Sequence, residues 1–317
     1  MSDRAAGVTD DLDPGIRTFA EKLSRSYGAY PHLDAMPLPV RRDIAEKIRA
    51  PWAAGGPKMH SVTDVYVDGV RIRLNLPKEG PLPCMLYVHG GGWTMFSIET
   101  HDRLMREYAA RAGIAVAGVE YSLSPEAKFP TALEEIVSAH QWLREHGSDY
   151  GIDASRLAIG GDSAGANLAV AANLKMREES GAMSDAMLLN YGAFGPAPTP
   201  TYQRYDGDDY TLTVDEMAVF WENYTRDPSD LDNPLAVPFE ADLAGLPTAF
   251  FAIAECDILA DGNRAMAERL TQAGVPTEAH VYRGATHSFL EAVSVAPLAN
   301  RALDDAAGWL RTQLSLA

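Results

Sequence analysis

Leu157-Ala158-Ile159-Gly160-Gly161-Asp162-Ser163-Ala164-Gly165 is the stretch that decides how this chain is read. A short apolar run, Leu157 to Ile159, passes through two glycines into a serine, and a helical pattern over 164–179 follows. The G-x-S-x-G spacing has a physical logic. A serine on a tight strand-to-helix turn needs small residues two before and two after it, so that strand and helix can pass close together. The helix starting there adds free N–H groups and the positive end of its dipole. Ser163 is therefore the candidate nucleophile, and the backbone N–H of Ala164 a candidate donor to a developing oxyanion. The five-residue pattern alone is weak; its weight comes from the strand before it and the helix after it.

The segments around it repeat the same rhythm. Val65 and Val67, then Val70, Ile72, Leu74 and Leu76, alternate with polar residues about Asp68-Gly69, which predicts an antiparallel hairpin. Strands are expected over 84–88, 115–121, 187–191, 248–254 and 278–282. Helices are expected over 131–146, opened by a Thr131-x-x-Glu134 capping box and closed by Gly147, over 261–273, and over 297–314. Strand–helix alternation of this kind makes an α/β fold, a mostly parallel sheet flanked by helices. Residues 192–245 break the rhythm with PAPTP, an acidic stretch and a second capping box, Thr213-x-x-Glu216, and read as an inserted cap segment. Residues 1–55 read as an N-terminal cap segment. There Phe19, Leu23, Tyr27 and Tyr30 share a helix face, Pro31 to Pro39 is proline-rich, and a second helix spans 41–50, ending before Pro51. The catalytic domain is then 56–191 with 246–317.

Composition narrows the function. Of 317 residues, 46% are apolar and 22% charged, as expected of a globular protein. Forty-four acidic residues against 27 basic ones give a net charge of −17, the wrong balance for a nucleic-acid binder. Apolar runs such as Ala249 to Ala254 fall far short of the roughly 18 residues of a membrane span. The start, MSDRAAGVTDDLD, lacks the apolar stretch of a signal peptide, so the expected location is cytoplasmic, with no membrane partner. Cys84 and Cys256 form no C-x-x-C pair and read as packed residues. No histidine pair or acidic cluster has metal-ligand spacing, so neither metal nor cofactor is expected.

His89-Gly90-Gly91-Gly92-Trp93 follows the strand at 84–88. Three glycines at a strand end leave backbone N–H groups free to turn inward, and the absence of a following Lys-Ser/Thr pair excludes a phosphate loop. Gly91 and Gly92 join Ala164 as candidate oxyanion donors, and His89 reads as a structural tie. Past the insertion, Glu255, Asp257 and Asp261 all lie just beyond the strand at 248–254, where an acid is needed. Of eight histidines, His287 sits in a loop between the last strand and the last helix, at the strand edge where Ser163 stands.

HGGGW with GDSAG resembles the hormone-sensitive-lipase-like (family IV) bacterial esterases of the α/β-hydrolase fold. Tyr121-Ser122-Leu123-Ser124-Pro125-Glu126 is similar to that family's Y-R-L-A-P-E segment, departing at Ser122 and Ser124, and Phe129-Pro130-Thr131-Ala132-Leu133 to its F-P-A-A-L segment. Asp257-Ile258-Leu259-Ala260-Asp261 is similar to its D-P-L-x-D segment, whose first aspartate is catalytic, and His287-Ser288-Phe289 stands where the family has H-G-F. The resemblance covers roughly residues 60–317. It implies a Ser163–His287–Asp257 triad hydrolysing short- to medium-chain acyl esters through an acyl-enzyme. A small-molecule ester is then the partner, and a homodimer is compatible with the family. The cap would build the pocket, with Tyr30, Met36, Trp93, Asp162, Tyr191 and Phe194 as candidate lining, and Tyr27, Phe220 and Trp221 as further wall candidates. Rival readings are an amidase or lactonase using the same triad, a non-catalytic binding protein, and a dehydratase on the same scaffold.

Overall fold

The computed structural model describes residues 11–179 and 182–315; the first ten residues of the N-terminal segment, including most of its polar start, lie outside them. Eight strands form one sheet: β1 Ser61–Val67, β2 Val70–Leu76, β3 Leu82–Val88, β4 Ala115–Val119, β5 Ile152–Asp162, β6 Ala186–Asn190, β7 Thr248–Cys256 and β8 Thr277–Thr286. Their spatial order is β1-β2-β4-β3-β5-β6-β7-β8. The β1–β2 and β2–β4 pairs are antiparallel, and every pair from β4 to β8 is parallel. In the β1–β2 hairpin Val67 pairs with Val70, leaving Asp68 (φ 50°) and Gly69 (φ 88°) as a two-residue turn with both residues left-handed, the geometry that suits strand twist.

The central strands are buried on both faces, and their side chains divide by parity. On β3, Cys84, Leu86 and Val88 enter one core while Met85 and Tyr87 enter the other. Helices α4 Thr131–His146, α5 Ala164–Glu179 and α8 Ala260–Gln272 pack on the first face. Helices α1 Pro14–Gly28, α2 Leu38–Ala53, α3 Asp102–Ala112 and α9 Pro297–Gln313 pack on the second. Between β6 and β7 lie α6 Pro200–Arg204 and α7 Val214–Tyr224, whose Trp221 and Tyr224 join the first core. Among the described residues no helix is long and apolar enough to cross a membrane.

Several boundaries differ from the sequence reading. Helix α2 starts at Leu38 and runs through Pro51 to Ala53, because Pro39 sits in the first turn, where no N–H is missed, and Pro51 falls in the last. Helix α1 ends at Gly28, so Tyr30 is off its face. Helix α4 starts where expected, but Thr131 is its first helical residue and makes no cap; Pro130 is the cap position, and its carbonyl accepts from the Glu134 amide at 3.0 Å. The helix ends at His146 with Gly147 as its C-cap, as expected, but Gly147 stays right-handed (φ −56°) and the chain tightens into a 3-10 turn over Gly147–Tyr150 before reversing at Gly151, φ 75°. Strand β8 extends to Thr286, so His287 follows the strand directly.

Candidate active site

The parallel strands end together at their carboxyl edge, the place where open α/β sheets put their ligands. Ser163 is the single residue between β5 and α5. Its φ of 53° is left-handed, a strain of about 1–3 kcal/mol for a residue with a β-carbon. Its amide donates to Asn190 O (2.9 Å), and its carbonyl accepts from Ala193 N (3.1 Å), so the turn is held from β6. The two flanking glycines are required by contact. A β-carbon on Gly165 would run into the Val88 carbonyl, and one on Gly161 would meet that same carbonyl and lie 2.6 Å from the Gly165 carbonyl carbon.

His287 Nε2 lies 3.0 Å from Ser163 Oγ, and His287 Nδ1 lies 2.8 Å from Asp257 Oδ2. All three side chains are buried. The carboxylate can only accept, so Nδ1 carries the proton and Nε2 is left to accept from the serine hydroxyl. The second Asp257 oxygen takes the Leu259 amide at 3.0 Å. The other two acids beyond β7 are otherwise engaged: Glu255 accepts from Gly284 N, and Asp261 accepts from Thr201 N of the insertion and pairs with Arg264. The imidazole is braced from two sides. The Tyr191 ring meets it edge-on at 5.1 Å, and Thr211 Oγ1, from the insertion, donates to the His287 carbonyl at 2.7 Å.

The glycine loop turns back on itself, with Thr94 N and Met95 N both donating to Gly91 O. Gly91 (φ 111°) and Gly92 (φ 58°) take backbone angles that suit glycine. The amides of Gly91, Gly92 and Ala164 have no protein acceptor among the described residues, which leaves them available to an anion. The loop is pinned from the N-terminal segment and from the β6–β7 insertion. Arg42 of α2 donates to Thr94 O (2.7 Å) and Ser124 O (2.7 Å) and forks onto Glu126. Trp93 stacks on Tyr224 of α7 at 4.3 Å and 8° and meets Trp221 at 4.6 Å, while the Phe220 ring occupies the space a β-carbon on Gly92 would need. His89 stacks on Tyr121 (4.3 Å), and its Nδ1 lies 2.8 Å from Gly90 O. Burial, with the charge of His101 beside it, pushes the His89 imidazole down to about 3, so it is neutral and structural.

The candidate lining residues fall in several places. Trp93 is wholly buried between α7 rings, and Phe194 packs edge-on against Phe251; both are core. Asp162 is buried beneath the glycine loop, bonded to Tyr87 Oη (2.7 Å) and Gly90 N (3.1 Å), and so belongs to the loop's support. Tyr191 stands against His287. Tyr30 and Met36 are half-buried against the second core beside Tyr27. The sequence reading missed Arg42, Tyr87, His101 and Thr211. Each acts on a partner tens of residues away, and no local pattern announces such a contact. Among the described residues no group of three or more histidines, cysteines or carboxylates could hold a metal ion.

Fold and site together are those of the α/β-hydrolase class. Residues 85–291 match the model of a family described as alpha/beta hydrolase fold. An esterase from the hyperthermophilic archaeon Pyrobaculum calidifontis is similar at 32% identity and a TM-score of 0.89, over 96% of this chain and 99% of that one. An ester hydrolase from the metagenome of Lake Arreo, solved with a bipyridine phosphonate derivative, is similar at 30% identity and a TM-score of 0.90, with the same coverage. A thermophilic carboxylesterase cloned from a metagenomic library is similar at 31% identity and a TM-score of 0.85, over 88% and 98%. The chain belongs to the α/β-hydrolase family and, within it, to the hormone-sensitive-lipase-like esterases.

Proposed function

We propose that this protein is a carboxylic-ester hydrolase acting on short- to medium-chain acyl esters, with Ser163 as nucleophile, His287 as base and Asp257 as its orienting acid. The observation that carries the reading is the continuous hydrogen-bonded line Ser163 Oγ–His287–Asp257 at 3.0 and 2.8 Å, beside unengaged amides. His287 takes the serine proton as Oγ attacks the ester carbonyl. Asp257 fixes the tautomer and stabilises the imidazolium that forms. The amides of Gly91, Gly92 and Ala164 receive the oxyanion. The tetrahedral intermediate collapses as His287 protonates the leaving alcohol, and water repeats the cycle on the acyl-enzyme. The proposed cap over this site is the segments 1–55 and 192–245, of which residues 11–55 and 192–245 are described.

The test compares wild type with Ser163→Ala on p-nitrophenyl acetate, butyrate and octanoate. The expected result is hydrolysis by the wild type and a loss on the order of 10⁶ in kcat in the variant. Activity retained by Ser163→Ala would overturn the assignment. A matched amide and lactone, run alongside, decide whether the same triad prefers those substrates.

A further inference from the structure

Asp162 is a buried carboxylate one residue before the serine and 3.4 Å from a buried histidine, His101 Nε2. The protonation of that histidine can be read from its partners. Asp162 Oδ2 faces Nε2 and can only accept. Nδ1 faces Ser97 O at 3.2 Å and Thr100 Oγ1 at 2.9 Å. Ser97 O is an acceptor, and the Thr100 hydroxyl spends its hydrogen on that carbonyl at 2.8 Å, so it too accepts from the ring. Both ring nitrogens therefore face acceptors, which is the environment of an imidazolium. Burial works against that charge, yet Asp162 outweighs it and holds the His101 pKa above the ordinary value. Burial would likewise raise the Asp162 carboxyl, but the charge and hydrogen bond of His101, with the Tyr87 hydroxyl, hold it below the ordinary range.

We propose that Asp162 and His101 are a positioning pair for the ester-cleaving site: Asp162 holds the Gly90 amide and with it the oxyanion loop, and His101 keeps that carboxylate ionised, in place and electrically balanced. The inference rests on the proposed roles of Ser163 and of the glycine loop. Its physical basis is location. A lone buried carboxylate next to the nucleophile would oppose the negative charge that develops on the substrate oxygen; a paired one does not. A β-carbon on Gly90 would collide with this carboxylate, so loop and acid are in direct contact.

Other groups near His101 are Tyr87 from β3, His89 from the loop, Glu46 from α2, and Glu291 from the turn over Phe289–Ser294. His89 is neutral, and Glu291 is paired with Arg49 at 2.7 Å. Burial raises the Glu46 carboxyl. Asp162 is thus the carboxylate hydrogen-bonded to the ring. With both ring nitrogens facing acceptors and Asp162 holding its pKa above the ordinary value, the charge on His101 should outlast that of an ordinary histidine and be lost as pH rises through its elevated pKa.

The experiment has two arms. The first follows the His101 ring nitrogens by NMR against pH in the wild type, together with kcat on p-nitrophenyl butyrate. Both nitrogens should be protonated at pH 7, and kcat should fall on the alkaline side with the midpoint of that titration. The second measures His101→Gln and Asp162→Asn. Each should lower kcat about 10- to 100-fold with KM within about twofold, the scale of a misplaced catalytic group. Asp162→Asn, which keeps an oxygen for Gly90, should also move the His101 titration to lower pH. A neutral His101 ring at pH 7, or wild-type kcat in both variants, would overturn the proposal. Should the variants not fold, unequal midpoints in the wild type overturn it as well. A wild type inactive on every ester would overturn the esterase reading, whereas the ring-nitrogen spectrum decides the ion pair either way.

Discussion

Histidines in this protein take different chemical characters from their surroundings, and His140 shows the least favourable one. It is buried on α4, and neither ring nitrogen has a hydrogen-bond partner among the described residues. Burial, with Arg144 nearby, pushes its pKa down to about 4. The folded protein keeps this ring neutral while the unfolded chain takes up a proton below about pH 6.5, so folding loses stability as pH falls from about 6.5 to about 4. The loss is about 1 kcal/mol per pH unit in that window. His140→Leu removes both the titration and two orphaned polar atoms. Its Tm should rise relative to wild type, and by clearly more at pH 5 than at pH 8. An equal shift at both values would show that the ring does not titrate as its burial implies. At this scale the sequence was informative where chemistry demands a local pattern. Gly161 and Gly165 are spaced as they are because backbone atoms press on both. Nothing in the spacing of His101 and Asp162, 61 positions apart, announces their contact.

At the scale of elements, the two threonine capping boxes separate what a pattern promises from what a helix end does. Thr213 caps α7: its Oγ1 accepts from the Glu216 amide at 3.2 Å, and Glu216 reaches back to the Thr213 amide at 2.9 Å. Thr131 makes no cap, because it is already the first helical residue of α4, with Pro130 at the cap position. Thr213→Ala should therefore cost about 1 kcal/mol of stability, while Thr131→Ala should cost a few tenths at most. Urea unfolding of the two variants checks this, and equal losses would mean that the caps are not what separates them. Helix α7 matters beyond its own stability, since Trp221 and Tyr224 clamp Trp93 and thereby the glycine loop. Strands were legible because their apolar runs are continuous in the interior. Their ends were not, since β5 from Ile152 and β8 up to Thr286 are extended by pairing with neighbours rather than by apolar pattern.

At the scale of the molecule, segments remote in sequence meet on one buried ion pair. Arg49 of α2 and Glu291, four residues beyond His287, pair at 2.7 Å with side chains 6% and 8% exposed. The Arg49 guanidinium also lies 4.9 Å from the Phe96 ring, in the glycine loop. The N-terminal segment, the glycine loop and the turn after His287 are thus joined at one point. No local pattern announces it, because the partners are 242 positions apart. Burying two charges is costly, and their attraction roughly offsets that cost. Removing one of them strands the other without water, at about 3–5 kcal/mol, whereas replacing both with apolar side chains is often close to neutral. Arg49→Met and Glu291→Leu should each destabilise the fold by that amount and lower kcat, because each leaves an uncompensated charge beside the loop and the histidine. The double variant should regain most of the stability. Its kcat then distinguishes two roles. Recovery would mean that the pair acts as a packing element between the N-terminal segment and the loops of the candidate site. Persistent loss would mean that its charge or geometry is needed at the site itself. Single-variant losses that simply add in the double variant would show that the two residues are not coupled, and the N-terminal segment would then be fastened to the site through Arg42 instead.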